Sequence, residues 1–201
     1  MSNRIPPHRL DRAFSTAMSW PDFLERMKVN RSTIEANFQA HKVHPSELQA
    51  LTHPLRPLKV LALVHDWCGD VVANLPIFAR LEQAGLLSLS ILEKNPDNTD
   101  LGLLYPHRSG EVHIPIYIVF NAEGHELGHF IERSPAMDER LDQWVGDFWS
   151  KRPEHPERAK SFGELGETTR AELLEWLNQQ RQTVRTEERQ EILGWLAGLK
   201  D

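Results

Sequence analysis

The only cysteine of the chain, Cys68, lies in residues 66–70, Asp-Trp-Cys-Gly-Asp, directly after an apolar run of strand character. Redox proteins place a reactive thiol at the start of a helix, because the helix N-terminus stabilises the thiolate. Three residues further on, where a Cys-x-x-Cys pair would have its second thiol, the chain has Val71. The chain cannot form a disulfide with itself, so any disulfide chemistry of Cys68 requires a second molecule.

Asp70 is the titratable residue best placed to act on this thiol and to help move protons. A carboxylate within one turn raises the pKa of a thiol by charge repulsion. The helix dipole acts in the opposite direction, with about 0.3–1 kcal/mol at an exposed end. The sequence leaves open which effect is larger, and whether Cys68 is a solvent-reachable reactive thiol or a shielded structural one.

Composition narrows the class of protein. The chain has 201 residues and a net charge of −6, which argues against nucleic-acid binding because that function needs clustered Lys and Arg. Its first residues, 1–19, lack the apolar stretch of a secretion signal, and its apolar runs are too short to span a bilayer. With a single cysteine, these features predict a protein of the reducing cytoplasm.

Hydrophobic patterning divides the chain into three predicted segments. Residues 1–57 form a helical N-terminal extension, with a cap at Ser19, a capping box at Ser32 and Glu35, and a third helix beginning at Pro45. Residues 151–201 form a helical C-terminal extension, which packs on the rest or lies at an oligomer interface. Residues 58–150 are the central domain.

The central domain alternates strands and helices. Its predicted strands are Leu58–Val64, Leu86–Leu92, Val112–Phe120 and His125–Ile131, and a helix over Val71–Leu81 carries Pro76. A short helix around Leu101–Tyr105 precedes the third strand, and an amphipathic helix beginning at Ser134 follows the fourth. This order predicts an α/β fold made of a βαβ unit followed by a ββα unit, with a mixed sheet flanked by helices.

Four features in this order resemble the thioredoxin fold. They are Trp67-Cys68-Gly69 after a strand, Pro76 eight residues past the cysteine, Ile114-Pro115 before the third strand, and the hairpin turn at Asn121–Gly124. The Trp-Cys-Gly-Asp variant resembles a bacterial, single-cysteine branch of the superfamily. The resemblance implies a cis bond at Pro115, and a site in which Trp67, Gly69, Ile114 and Pro115 hold a partner beside Cys68 by strand addition.

The chain also departs from the family's pattern. The resolving cysteine is absent, and the buried aspartate that serves thioredoxins as a proton acceptor would fall at Ala62. The ordinary dithiol mechanism therefore does not apply.

The ten histidines do not predict a metal site. His65 and Cys68 form a His-x-x-Cys pair, but two ligands do not make a zinc site. His125 and His129 share one face of a strand, with Glu123 and His113 as possible neighbours across the hairpin. Exposed or internally bonded histidines are commoner than ligands, so the sequence predicts no metal and no cofactor.

Two functions remain open. In the first, Cys68 carries out monothiol thiol–disulfide exchange, forming a mixed disulfide with a protein or glutathione that an external thiol resolves. In the second, the domain is a redox-inactive module that binds a peptide or protein. The first requires a sulfur open to visiting molecules. The expected partners are protein thiols or disulfides, or glutathione, without nucleic acid or membrane, and the terminal helices allow a homodimer.

Overall fold

The computed structural model describes residues 3–44 and 58–200, and it contains helices and strands in alternation. Within these described residues, the four strands are β1 (Leu58–Val64), β2 (Leu87–Glu93), β3 (Ile116–Phe120) and β4 (Glu126–Ile131). The α-helices are α1 (Pro7–Thr16), α2 (Trp20–Arg26), α3 (Arg31–Ala40), α4 (Gly69–Gln83), α5 (Thr99–Leu103), α6 (Pro135–Ser150), α7 (Glu167–Thr183) and α8 (Arg185–Ala197). Short 3₁₀ turns lie at Pro96–Asn98 and Phe162–Glu164.

The strands form one mixed sheet in the order β2-β1-β3-β4. β1 is parallel to β2 and antiparallel to β3, and β3 is antiparallel to β4. The apolar run of β1 therefore lies between two neighbours, and all of it except Lys59 is buried. The predicted α/β class and the order βαβ, then ββα, are confirmed.

β1 ends one loop before α4, and this geometry places the cysteine. Cys68 is the N-cap residue of α4, which then continues through Pro76 to Gln83. α3 packs along α4, where the side-chain amide of Asn37 donates to the carbonyl of Val72 over 2.9 Å. The start of α4 is thus fixed both by the sheet and by the N-terminal helices.

The helical N-terminal extension is present and continues onto the edge of the sheet. Met18 forms an antiparallel bridge with Ile91 of β2, and Ser19 caps α2 in a capping box with Asp22, as the sequence predicted for Ser19. The predicted box at Ser32 and Glu35 is wrong, because α3 already begins at Arg31 after a left-handed Asn30. The predicted helix beginning at Pro45 lies outside the described residues.

The third strand is shorter than the sequence predicted. β3 begins at Ile116, and residues 112–115 belong to the preceding loop. Pro115 has no N–H to contribute to a ladder, and His113 is turned toward the carboxylate of Glu132. Residues 112–115, which the sequence predicted as the first part of a strand, therefore form a loop beside Glu132.

The chain divides into two compact units. The first, Met1–Glu132 with Leu193–Asp201, holds the sheet, and its C-terminal part contacts β4: the ring of Trp195 lies 5.5 Å from that of Phe130. The second, Arg133–Ile192, has its own apolar core. The core residues of this second unit are Phe148, Leu165 and Leu173, with Val145, Trp149, Trp176 and Leu177 packed against them.

These units differ from the predicted segments 1–57, 58–150 and 151–201, and those domain boundaries stay a prediction. The helical C-terminal extension itself is present, as α7 and α8. Among the described residues, no helix combines the length and apolarity needed to cross a membrane.

Candidate functional site

The loop between β1 and α4 is held by the N-terminal extension through one buried carboxylate. Asp66 accepts backbone N–H bonds from Lys28 at 2.7 Å and from Val29 at 3.2 Å, and a bond from His65 Nδ1 at 2.8 Å. The side-chain amide of Asn30 donates to the Asp66 carbonyl over 2.9 Å. We call Asp66 with Lys28, Val29 and Asn30 the Asp66 clamp.

The clamp also sets the charge of its carboxylate. Burial by itself would raise the pKa of Asp66, but the N–H bonds from Lys28 and Val29, together with His65, outweigh it. The pKa of Asp66 is therefore held below its ordinary value. An ionised, fully bonded carboxylate fixes the loop that presents the following two residues, Trp67 and Cys68.

Those two residues have opposite environments. The side chain of Trp67 projects outward, with the residue 57% exposed and its ring 5.3 Å from that of His65. Cys68 is only 8% exposed, and its Sγ donates a hydrogen bond to the carbonyl oxygen of Ile114 over 3.4 Å. Of the two alternatives that the sequence left open, the burial of Cys68 favours the shielded thiol over the solvent-reachable one.

The residues at the predicted partner-binding face lie together. The Ile114–Pro115 peptide bond is cis, both residues are buried, and the Ile114 carbonyl receives the thiol of Cys68. Gly69 is the first residue of α4 and is exposed, and a Cβ added there would meet no atom within 4 Å. The structure therefore needs no glycine at position 69 for packing.

The sequence left open whether the carboxylate of Asp70 or the helix dipole has the larger effect on the pKa of Cys68, and this geometry gives the answer. Burial raises the pKa of Cys68 to about 11, and the charges of Asp70 and Glu132 act in the same direction. The N–H groups of Val71 and Asp70 bond to the sulfur and lower the pKa, but they are outweighed. At neutral pH Cys68 is therefore a protonated thiol.

Glu132 is a residue of this region that the sequence did not identify. It follows β4 with a positive φ of 61°, its N–H donates to the Pro115 carbonyl over 2.7 Å, and its carbonyl accepts from Asn74 of α4 over 3.0 Å. No local pattern marks Glu132, because its partners are distant in sequence.

The histidines group differently from the sequence expectation. His129 lies near Glu126, with 3.8 Å between Nδ1 and Oε1, and His113 instead contacts Glu132. Within residues 3–44 and 58–200, the one set of His, Cys, Asp and Glu side chains close enough to share a metal ion is His107, His113 and Glu132. The sequence identified His113 as one neighbour of a possible set, but not these partners.

Comparison with known proteins agrees with the fold. A thioredoxin family profile matches residues 17–145, which is more than half of the chain. An HIV epitope-scaffold has 20% sequence identity and a TM-score of 0.52, with 63% of this chain and 78% of its own covered. A protein of unknown function from Pseudomonas aeruginosa has 18% identity and a TM-score of 0.54, covering 72% and 87% respectively.

At these identities the two solved structures share the fold and carry no information about activity. Comparison with curated proteins gives no match. The mixed sheet, the helix capped by Cys68 and the extent of the profile match lead to one conclusion: the chain belongs to the thioredoxin family.

Proposed function

We propose that the chain is a thioredoxin-fold binding module, which holds an extended segment of a partner protein beside Trp67 and the Ile114–Pro115 peptide. The observation that carries this proposal is the contrast between neighbours: Trp67 is 57% exposed, whereas Cys68 is 8% exposed. A large indole held in solvent by a fixed loop is the kind of side chain that anchors protein contacts.

The state of the thiol supports the same proposal. With a pKa of about 11, about one Cys68 in 10,000 is a thiolate at pH 7. The higher nucleophilicity of a basic thiolate recovers only part of this loss, so attack is about 20-fold slower than for a free thiol of pKa 8.5. Burial slows it further.

Monothiol exchange is the second candidate, and one observation favours it. Cys68 keeps the family position, at a helix N-terminus beside the Ile114 carbonyl. In this reaction the Cys68 thiolate attacks a protein or glutathione disulfide, the S–S bond breaks, and the departing sulfur takes up a proton. An external thiolate then attacks the substrate sulfur of the mixed disulfide, so that Cys68 leaves as a thiolate and the external thiol is disulfide-bonded to the substrate sulfur.

Selection of a displayed peptide library against the purified chain, under reducing conditions, tests the binding module. Affinities of the enriched peptides are then measured with Trp67→Ala, Cys68→Ser and Phe162→Ala, the last being a control at an exposed aromatic residue. We expect Trp67→Ala to weaken binding by about 30-fold, as for an interface hot spot, and the other two to leave it unchanged. Failure to enrich any peptide, or equal binding by Trp67→Ala, would count against the proposal.

Incubation with oxidised glutathione at pH 7 separates the two candidates. For the binding module, mass spectrometry is expected to show no glutathione on native Cys68 over a period in which the denatured chain is fully modified. Rapid modification of the native chain, reversed by a small thiol and absent in Cys68→Ser, would favour monothiol exchange instead.

The partners expected for the two candidates are a protein segment for the first, and protein disulfides or glutathione for the second. A homodimer is a separate proposal, for which the C-terminal helices would supply the surface. Sedimentation at several concentrations tests it, and a concentration-independent monomer would exclude it.

A further inference from the structure

Three side chains next to the Ile114–Pro115 peptide meet in a pattern that the proposed binding function does not use. His107 and His113 lie in the loop before β3, and Glu132 follows β4. The loop reverses at Gly110, which has a positive φ of 86°, and the N–H of His107 donates to the Glu111 carbonyl over 2.8 Å. This reversal brings the two imidazoles together.

The imidazole rings are parallel, with 4.2 Å between their centroids and 11° between their planes. One edge of the pair faces Glu132: its Oε2 lies 2.9 Å from His113 Nδ1 and 3.8 Å from His107 Nε2. The opposite edge faces Ser109, whose Oγ lies 3.1 Å from His107 Nδ1 and 3.4 Å from His113 Nε2. Each ring therefore has one nitrogen toward Glu132 and the other toward Ser109. On the Ser109 edge, His113 Nε2 also lies 3.7 Å from Glu111 Oε2, and His107 Nδ1 accepts the backbone N–H of Ser109 over 3.3 Å.

We propose that His107, His113 and Glu132 bind a divalent transition-metal ion of the Zn²⁺ type. Two imidazoles and one carboxylate are a known three-ligand set for zinc, with a fourth position left for water or another ligand. The ion would lie at the Glu132 edge of the ring pair. There it would take the lone pairs of His113 Nδ1 and His107 Nε2.

The distances suit this ion. Zinc–ligand bonds of about 2.0–2.2 Å at the tetrahedral angle place two ligand atoms about 3.4 Å apart. The observed nitrogen–oxygen separations of 2.9 and 3.8 Å lie on either side of that value. Binding requires the two rings to tilt out of their parallel stack, because both lone pairs must point at one ion.

Ser109 provides the support that metal-binding histidines usually have. When the ion occupies the Glu132 edge, His113 carries its hydrogen on Nε2, and the Ser109 hydroxyl oxygen, 3.4 Å away, is positioned to accept it. His107 Nδ1 accepts the backbone N–H of Ser109 over 3.3 Å, so binding through Nε2 requires His107 to change tautomer and donate from Nδ1 to the Ser109 hydroxyl oxygen, 3.1 Å away. Such outer partners fix the tautomer and orientation of the ligand, and their loss costs about 10–100-fold in metal affinity.

The backbone that carries the Glu132 carboxylate is also held by hydrogen bonds. The backbone of Glu132 is bonded on both sides, to Pro115 through its N–H and to Asn74 through its carbonyl. Glu132 also has a positive φ of 61°, which is uncommon for a residue other than glycine. The side chains of the three ligands are 15–29% exposed, so an ion can reach them from solvent.

Titration of the purified chain with Co²⁺ and with Zn²⁺ at pH 7.5 tests the site. We expect one ion per chain, and a Co²⁺ absorption spectrum of low coordination number. His107→Ala, His113→Ala and Glu132→Gln should each weaken binding by about 100-fold or more, and Ser109→Ala by about 10-fold. His125→Ala, at an exposed histidine outside the set, should bind as the wild type does.

A second measurement needs only the wild-type chain, so it does not depend on how the variants fold. X-ray absorption of the zinc-loaded chain should show nitrogen and oxygen neighbours, with imidazole scattering and no sulfur. A sulfur neighbour, weakened binding in Cys68→Ser, or equal affinity of Glu132→Gln and wild type would overturn the proposal. None of these outcomes depends on whether Trp67 binds a peptide.

Discussion

Two regions contact the cis peptide bond between Ile114 and Pro115, and they differ in how accessible their titratable side chains are. The thiol of Cys68 bonds the Ile114 carbonyl, and Glu132 of the histidine set bonds the Pro115 carbonyl. The first region is the usual reaction centre of the family, yet its sulfur is buried and its pKa is raised to about 11. The second has partly exposed rings around one carboxylate. In this chain the cysteine of the family's reaction centre is therefore less exposed than the side chains of the histidine set.

The comparison depends first on the Asp66 clamp, which keeps the Cys68 loop in place. Asp66→Ala removes the acceptor of two backbone N–H groups, those of Lys28 and Val29, and leaves them without a partner. We expect a loss of about 3 kcal/mol in the free energy of unfolding, measured by urea denaturation. Asp142→Ala, at an exposed aspartate, is the control and should change it by less than about 0.5 kcal/mol. Equal effects would show that the clamp does not stabilise the fold.

A smaller effect should follow from pH. The pKa of Asp66 is lower in the folded chain than in the unfolded chain, so its contribution is present above the unfolded value of about 3.9. That contribution is lost as pH falls through the folded value. Urea midpoints measured across the acid range should therefore fall less steeply for Asp66→Asn than for the wild type. Identical slopes would contradict the assignment.

The low reactivity of the thiol is tested by alkylation. With iodoacetamide at pH 7, native Cys68 should react at least about 20-fold more slowly than the unfolded chain, and its rate should rise up to about pH 11. The readout is mass spectrometry at timed intervals. A rate that levels off near pH 7 would mean that the helix N-terminus outweighs burial, and it would remove the contrast between the two regions.

A still smaller change should come from Asp70→Asn. Removing this carboxylate takes away one charge that raises the pKa of Cys68, so alkylation at pH 7 should become faster. For each unit by which the pKa falls, we expect about a threefold gain in rate, since part of the gain in thiolate is offset by lower nucleophilicity. Glu139→Gln in α6 serves as a charge-matched control. An unchanged rate would leave burial as the only large cause.

The smallest expected effect is that of Gly69→Ala. A Cβ at this position meets no atom within 4 Å, so the free energy of unfolding should change by less than about 0.5 kcal/mol. Loss of binding for the library peptides in this otherwise neutral variant would show that the partner's backbone crosses the start of α4. Unchanged binding would confine the contact to Trp67 and the Ile114–Pro115 peptide.

Sequence reasoning succeeded where the chemistry is contiguous. Residues 66–70 identified the loop and the capping cysteine, and the apolar run Leu58–Val64 identified a buried strand, because each signal lies within a few neighbouring residues. It failed at the start of β3. The residues from Val112 have a strand-like composition, but they form a loop that ends at Pro115.

The residues that were missed have partners far away in the chain. Asp66 is bonded to residues 37 and 38 positions earlier, and Glu132 to a histidine 19 positions earlier. The sequence also could not decide whether the helix dipole or the surroundings control the pKa of Cys68. The main cause is burial, which only the folded chain creates. Local patterns predict elements, but side-chain environments depend on tertiary contacts.

The Asp66 clamp has a consequence for how this protein can vary. Its carboxylate meets the amide hydrogens of positions 28 and 29, not their side chains. Nineteen of the twenty amino acids supply that hydrogen, and proline alone does not. Relatives can therefore have almost any residue other than proline in place of Lys28 and Val29 while the loop between β1 and α4 stays anchored. We expect an alignment to show sequence variation at these two positions, although they are where the N-terminal extension holds the loop that carries Cys68.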